Sequence, residues 1–477
     1  MGAVAKPLSL LRACALLLVA LAPLAHAETL AQRIDARLAE PRFAAASWGV
    51  AVVSLDDGHV VYEHDAGRLL LPASTAKLFT AAYAMNQLGP AYRTHTDALA
   101  GGSMERGRLR GPLVLRGRGD PTLSGNAWAD DLAAQVKAHG IRRIDGGIVG
   151  DDTVFTGPPV GSGWEVSDLQ AAYGATVGPL VMDENTMIAS LSPGNVSIVP
   201  EDAALTLAEQ DAGAAELYRP IGSATLHVLR KPGDAALSSA KLSLPDPALT
   251  AARRLQSALE RVGIRVDAEA RSVHWPIPPP AVDSVVASLA SPPLSDILRS
   301  GLKRSQNLYL QSVFLLTGLE ATTTVPMHTD ARAAAGLARW LESQGIGPSS
   351  TMLEEGTGLS RHDLTTASSL VRLLVLMDAS PQAALWRDLL PVAGVDGTLA
   401  RRMRGTAAEG AVRAKTGSMS FVNAMAGYVT TTSGQRLAFA ILLNNYRPLV
   451  RTAEPVESAS AEVDAIAVML AEGSGGL

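Results

Sequence analysis

"LLLPASTAKLFTAA" (residues 69–82) carries Ser74 and, three residues on, Lys77. How this stretch is read decides the fold. Pro72 ends an extended approach, and the Ala- and Leu-rich run that follows predicts a helix stopped by Gly89-Pro90. Residues i and i+3 share a helix face, so the amine and the hydroxyl come within reach of each other. A serine hydroxyl is a poor nucleophile without an adjacent base. A lysine serves as that base when desolvation and nearby positive charge lower its pKa. A helix N-terminus suits such a serine, because free backbone N–H groups and the positive dipole end favour negative charge on oxygen.

Spacing alone does not single out this pair. The chain has seven lysines, and Ser238/Lys241 and Ser300/Lys303 repeat the pattern. The first lies in a strand-like alternation with no helix after it, and the second lies inside a helix begun near Ser295. Both read as ordinary surface or capping residues. Two later stretches lift Ser74 above them. Ser305-Gln306-Asn307 offers a hydroxyl to relay a proton to a leaving group and an amide to hold a substrate amide and a lysine. The same Ser-x-Asn spacing at Ser124/Asn126 falls in a turn-like segment. Lys415-Thr416-Gly417 occurs once, on an expected strand. Its Lys and Thr suit a substrate carboxylate, and Gly417 lets a substrate lie along the strand edge. The N–H of Ser418 joins that of Ser74 as a candidate oxyanion hole. The order Ser-x-x-Lys, Ser-x-Asn, Lys-Thr-Gly is the signature of class A β-lactamases and penicillin-binding proteins.

The rest of the chain bounds this reading. A length of 477 residues and 47% hydrophobic content fit two or three packed domains. A formal charge of −5 argues against a nucleic-acid partner. Lys6 and Arg12, the apolar "ACALLLVALA" and Ala25-His26-Ala27 predict a signal peptide over 1–27, cleaved after Ala27. The single cysteine, Cys14, lies within it, so thiol catalysis and cysteine–zinc sites are excluded from the mature chain. No metal or other cofactor is expected. No later window is apolar and long enough for a membrane span. Asp120 and Asp151 beside glycines read as turn residues, and His274 and His362 as solvated loop residues.

Strand patterns near both ends, helices between them and a β-rich middle predict an α+β domain interrupted by an insertion. Residues 28–95 and 281–477 form the expected catalytic domain. Residues 96–280 form the insert, with a nested subdomain near 155–240. "PLSDILRSGLKRSQNLYLQSVFLLTG" (293–318) reads as one helical run. "GAVRAKTGS", "NAMAGYVTT" and "RLAFAILLNN" read as successive antiparallel strands.

The interval of more than two hundred residues between Lys77 and Ser305 is long for a β-lactamase. In that respect the chain resembles the D-alanyl-D-alanine carboxypeptidase/endopeptidase family of low-molecular-mass penicillin-binding proteins, of the penicillin-binding protein 4 type. "RGRGDPTL", "GGIVGDDTVF", "GWEVSDLQAAYGA", "DEN", "EEGTGLSR", "LPVAGVDGTL" and "AGYVTTTSGQRLAFAILLNN" look like the family's blocks. Gln306 departs from the acidic or small polar residue that many relatives carry there. The resemblance implies a β-lactamase/transpeptidase-like domain: an antiparallel sheet flanked by helices plus an all-helical part. It further implies a periplasmic serine hydrolase with Ser74, Lys77, Ser305 and Asn307 as catalytic residues. Lys415, Thr416, Gly417 and Ser418 would bind substrate. The substrates implied are peptidoglycan stem peptides ending in D-Ala-D-Ala or D-Ala cross-links, with β-lactams as inhibitors. A serine β-lactamase and a non-catalytic wall-binding scaffold are the alternatives.

Overall fold

Strands from the two ends of the chain share one sheet in the computed structural model, which describes residues 1–2, 28–192, 195–213, 215–230, 238–321, 327–448 and 458–473. The expected cleavage point after Ala27, the apolar run before it and Cys14 lie outside these residues. The sheet runs Val60–His64, Ser47–Ser54, Arg436–Asn444, Val422–Thr430, Val412–Met419, each pair antiparallel. Asp56-Asp57-Gly58 turns the first hairpin, with Gly58 at φ 80°.

Period-two alternation divides this sheet into two unlike faces. Val50, Val52, Phe439, Ile441, Leu443 and Met425 pack with the Leu30–Leu38 and Ala459–Glu472 helices. Ala51, Ala438, Ala440, Ala424 and Ala426 point the other way, into the core of the helical part. Small side chains there let the Ala367–Asp378 helix lie close against the central strands. The Lys77–Gln87 helix runs through this core with every residue from Lys77 to Met85 buried. A helix hydrophobic all round belongs at the centre of a domain.

The run 293–318 is two helices, Leu294–Arg304 and Asn307–Leu319. Ser305 breaks it with φ 56° and ψ 36°, a left-handed cap usually taken by glycine. The N–H groups of Ser305 and Gln306 close the first helix on Leu302 and Gly301. No Gly or Pro marks the break, which is why the sequence reads through it.

The insert leaves and re-enters through two paired strands. His95–Ala100 lies antiparallel to Ser284–Ala290 at one edge of a sheet ordered Arg271–His274, Ile148–Asp152, Leu113–Gly117, His95–Ala100, Ser284–Ala290. The paired return strand thus extends past residue 280. Helices Ala127–Ala138 and Pro247–Arg261 contribute to the insert's own core. Two three-stranded sheets occupy residues 186–243. His274 ends a strand rather than sitting in a loop, with Nδ1 3.1 Å from Asp152 and Nε2 3.4 Å from Asp246. Hydrogen bonds to those two carboxylates raise its pKa to about 10.

Among the described residues no helix is long and apolar enough to cross a membrane, and no group of His, Cys, Asp and Glu has the arrangement of a metal site.

Candidate active site

Ser74 stands on a short 3-10 turn, Ala73–Ala76, that runs straight into the Lys77–Gln87 helix. Ala73, just before it, takes φ 45°. A non-glycine residue held there costs about 1–2 kcal/mol, a strain that persists only where the surroundings over-determine it. Gly358 is part of those surroundings. A Cβ on it would fall 1.9 Å from the Ala73 carbonyl oxygen, and its own φ is +77°. Gly417 is another: a Cβ there would lie 2.8 Å from the Pro72 oxygen and 3.0 Å from the Ser74 nitrogen. The Lys-Thr-Gly strand therefore passes directly against the serine's turn, and only glycine permits that approach.

Lys77 is fully buried. Its Nζ lies 2.8 Å from Ser74 Oγ, 2.6 Å from Asn307 Oδ1 and 2.7 Å from the Thr357 carbonyl oxygen. The last two can only accept. An uncharged amine donates its two hydrogens to them and turns its lone pair towards the Ser74 hydroxyl. Burial lowers the Lys77 pKa to about 7, against the opposing pull of Glu355 and Asp363. Burial is the largest cause of the lowering that the chemistry asks of this lysine. At Lys415 burial first, then the positive charges of Lys77 and Arg402, hold the pKa well below its ordinary value.

Ser305 and Asn307 meet the two lysines separately. Lys415 Nζ donates to Ser305 Oγ at 2.8 Å and to the Thr416 carbonyl at 2.6 Å. Asn307 accepts from Lys77 and donates its Nδ2 to the Tyr173 carbonyl at 2.8 Å, which fixes the amide's orientation. Thr416 Oγ1 bonds Thr398 Oγ1 at 2.7 Å. Ser74, Ser305, Asn307 and Ser418 line one cavity of about 300 Å³. Of the other four residues singled out in the sequence, Lys77 contacts Ser74 and Asn307, Lys415 contacts Ser305, and Gly417 passes against Ser74, with Thr416 beside it on the strand. Lys241 is exposed on a strand of the insert, and Lys303 pairs with Asp396, so neither of the other Ser-x-x-Lys patterns contributes a lysine to this cleft.

Several residues at the cleft were not singled out in the sequence, although most lie in the quoted "GWEVSDLQAAYGA" and "EEGTGLSR" blocks. Glu355 is buried and accepts from the N–H groups of Thr357, Gly358 and Leu359, shaping the loop that offers the Thr357 carbonyl to Lys77. Asp363 is buried behind it, and burial followed by the neighbouring Glu355 raises its pKa well above the usual range. From the insert, Glu165, Asp168 and Tyr173 join Arg361 and Ser420 along the cavity wall. Arg361 donates to Glu165 at 3.1 Å and to the Ser420 carbonyl at 3.3 Å. Tyr173 donates to Asp168 at 3.0 Å. Asp120 accepts from the N–H and hydroxyl of Thr122, as a turn residue does, whereas Asp151 is not a turn residue: it is buried in the Ile148–Asp152 strand, where it accepts from Arg116 at 2.7 Å and from Thr153.

This geometry accompanies a clear kinship. The sequence profile of the D-Ala-D-Ala carboxypeptidase 3 (S13) family matches residues 30–469. A D-alanyl-D-alanine carboxypeptidase of Actinomadura sp. (strain R39) is 36% identical over 474 residues, covering 94% of this chain and 85% of its own. The D-alanyl-D-alanine carboxypeptidase DacB of Haemophilus influenzae is 27% identical over 421 residues, covering 83% of this chain and 85% of its own. The crystal structure of penicillin-binding protein 4 (dacB) from Haemophilus influenzae superposes with a TM-score of 0.77 at 25% identity, over 90% of this chain and 96% of that one. The profile match over nearly the whole described chain and the 36% identity to a D-alanyl-D-alanine carboxypeptidase show the kinship: the chain belongs to the D-Ala-D-Ala carboxypeptidase 3 (S13) family.

Proposed function

We propose that this protein is a serine D-alanyl-D-alanine carboxypeptidase that hydrolyses peptidoglycan stem peptides through an acyl-enzyme on Ser74. The observation that carries the reading is the buried Lys77 amine, 2.8 Å from Ser74 Oγ with two acceptor-only oxygens taking its hydrogens. Lys77 removes the hydroxyl proton as Ser74 attacks the penultimate D-Ala carbonyl. The N–H groups of Ser74 and Ser418 receive the oxyanion. Ser305, in contact with Lys415, relays the proton taken by Lys77 to the leaving amine, giving its own hydrogen and taking that proton in its place, and Asn307 holds the peptide amide while accepting from Lys77. Lys415 and Thr416 face the terminal carboxylate. Water then releases the acyl group and regenerates Ser74.

The same acylation serves a D-Ala cross-link, whose leaving group is larger, so endopeptidase activity belongs to the proposal. So do covalent acylation by penicillin and export to the periplasm after cleavage behind Ala27. In this reading residues 28–94 and 291–477 are the catalytic domain and 95–290 the insert, whose first and last strands pair with each other. Support comes from the family match and from the relatives named as D-alanyl-D-alanine carboxypeptidases.

The test feeds the mature chain uncross-linked pentapeptides and cross-linked muropeptide dimers, with product masses read beside a Ser74→Ala control. Loss of terminal D-Ala assigns the carboxypeptidase and dimer cleavage the endopeptidase. Activity surviving in the control would refute the nucleophile. Rapid turnover of a chromogenic cephalosporin would instead make the protein a β-lactamase, and no labelling of Ser74 by fluorescent penicillin would make it a scaffold.

A further inference from the structure

Ser305 sits in a left-handed conformation between two helices, with no glycine to make that conformation easy. What holds it comes from the insert. Glu184 lies on a turn of that insert and reaches both neighbours of Ser305. Its Oε1 accepts from Arg304 at 2.6 Å, and its Oε2 accepts from Gln306 Nε2 at 2.8 Å. Lys241 donates to the same Oε2 at 3.0 Å. Gln306 uses the other end of its amide to accept from the Leu308 N–H at 3.2 Å, capping the helix that Asn307 begins. Arg304 is steadied in turn by the ring of Tyr309, 5.1 Å away.

The turn that carries Glu184 is itself strained. Asp183, Glu184 and Asn185 have φ values of 46°, 59° and 52°. Three consecutive non-glycine residues there need strong support, and they have it. Asp183 accepts from Arg254 at 2.6 Å and from the Gly125 N–H at 2.8 Å. Asn185 accepts from the Met182 N–H at 3.1 Å and donates to the Thr176 carbonyl at 2.9 Å. Burial acts to raise the Glu184 carboxyl pKa, but hydrogen bonds from Arg304 and Lys241 outweigh it and hold the pKa below the usual range. In this chain a carboxylate at position 306 would face the Glu184 carboxylate, whereas Gln306 donates to it.

We propose that Glu184 is a positioning residue for Ser305. By gripping Arg304 and Gln306 on either side, it keeps the serine in the conformation that sets its hydroxyl against Lys415. The inference rests on the proton-transfer role given to Ser305 in the acyl-transfer reading. Misplacing a reacting group by about an ångström costs on the order of a hundredfold in rate.

The test measures acylation of the full mature chain by fluorescent penicillin, together with kcat and KM on a pentapeptide ending in D-Ala-D-Ala. Wild type is labelled first. If it does not acylate, the acyl-enzyme reading fails. If it does, and the variants below match it, only the role of Glu184 fails. Glu184→Ala and Glu184→Gln are expected to lower acylation and kcat by about 10- to 100-fold with KM within about twofold. Gln306→Glu should lose a similar factor by charge repulsion. The swap E184Q/Q306E restores one carboxylate–amide pair and should recover roughly tenfold over Q306E. A purely structural role would not produce that recovery, and its absence overturns the proposal. Should Glu184→Ala not fold, Glu184→Gln and Gln306→Ala carry the test, and wild-type rates in both overturn it.

Discussion

The five-stranded sheet built from both ends of the chain and the two three-stranded sheets of the middle third bury their strands to very different depths. In Arg436–Asn444 every residue after the first is buried, and in Val422–Thr430 every residue but the last. In Thr206–Asp211 and Asn195–Val199 none is fully buried. The first pair is covered on both faces by helices, so each side chain is held by several elements at once. The second pair lies where few neighbours meet. The difference teaches where the insert bears on chemistry. Its outer strands do not line the catalytic cleft, whereas the segments holding Glu165, Tyr173 and Glu184 reach the cleft or the Ser305 turn.

The contrast can be broken most sharply at the buried end. Lys77→Ala removes the amine 2.8 Å from Ser74 Oγ, and acylation should fall by about 10²- to 10⁴-fold, read by the rate of penicillin labelling. Labelling within tenfold of wild type would mean another base serves Ser74. Phe439→Ala, in the centre of the sheet built from both chain ends, should cost about 3–5 kcal/mol in denaturant unfolding. Gly417→Ala adds a methyl group against the Pro72–Ser74 backbone and should cost about 1–3 kcal/mol, appearing as slower acylation and lower stability together.

A pH series refines the same comparison. Lys77 must be neutral to act as base, and its pKa is lowered to about 7. As pH falls through that value the amine protonates, so acylation should drop by roughly tenfold per unit below it and level off above. An acid limb near 4 would point to a carboxylate base instead. At the exposed end, Leu207→Ala on the insert's outer strand should change stability by no more than about 0.5 kcal/mol. A loss comparable with that of Phe439→Ala would show that this face is covered in solution.

Much of the fold is legible in the chain because it depends on local signals. Asp56-Asp57-Gly58 between two strand patterns announces its hairpin, and the last three strands of the same sheet follow their apolar runs. Pro72 and the helix-favouring run after it place Ser74 at a helix start. The break at Ser305 was not legible, because an apolar helix pattern continues on both sides and the left-handed residue is a serine. His274 read as solvated because nothing near it in sequence reveals Asp152 or Asp246.

By itself the sequence determined the order of the three motifs and the interval of more than two hundred residues between Lys77 and Ser305. These depend on residue identity and spacing. Only the tertiary structure decided which Ser-x-x-Lys pair shares a cleft with Asn307, which carbonyl fills the third position on Lys77, and why Gly417 must be glycine. Each of these is an apposition of segments far apart in the chain, as Lys77 and Thr357 are. Burial completes the site for the same reason. The Lys77 pKa is lowered by the helices packed around it, and desolvation is a property of the enclosure, not of the lysine.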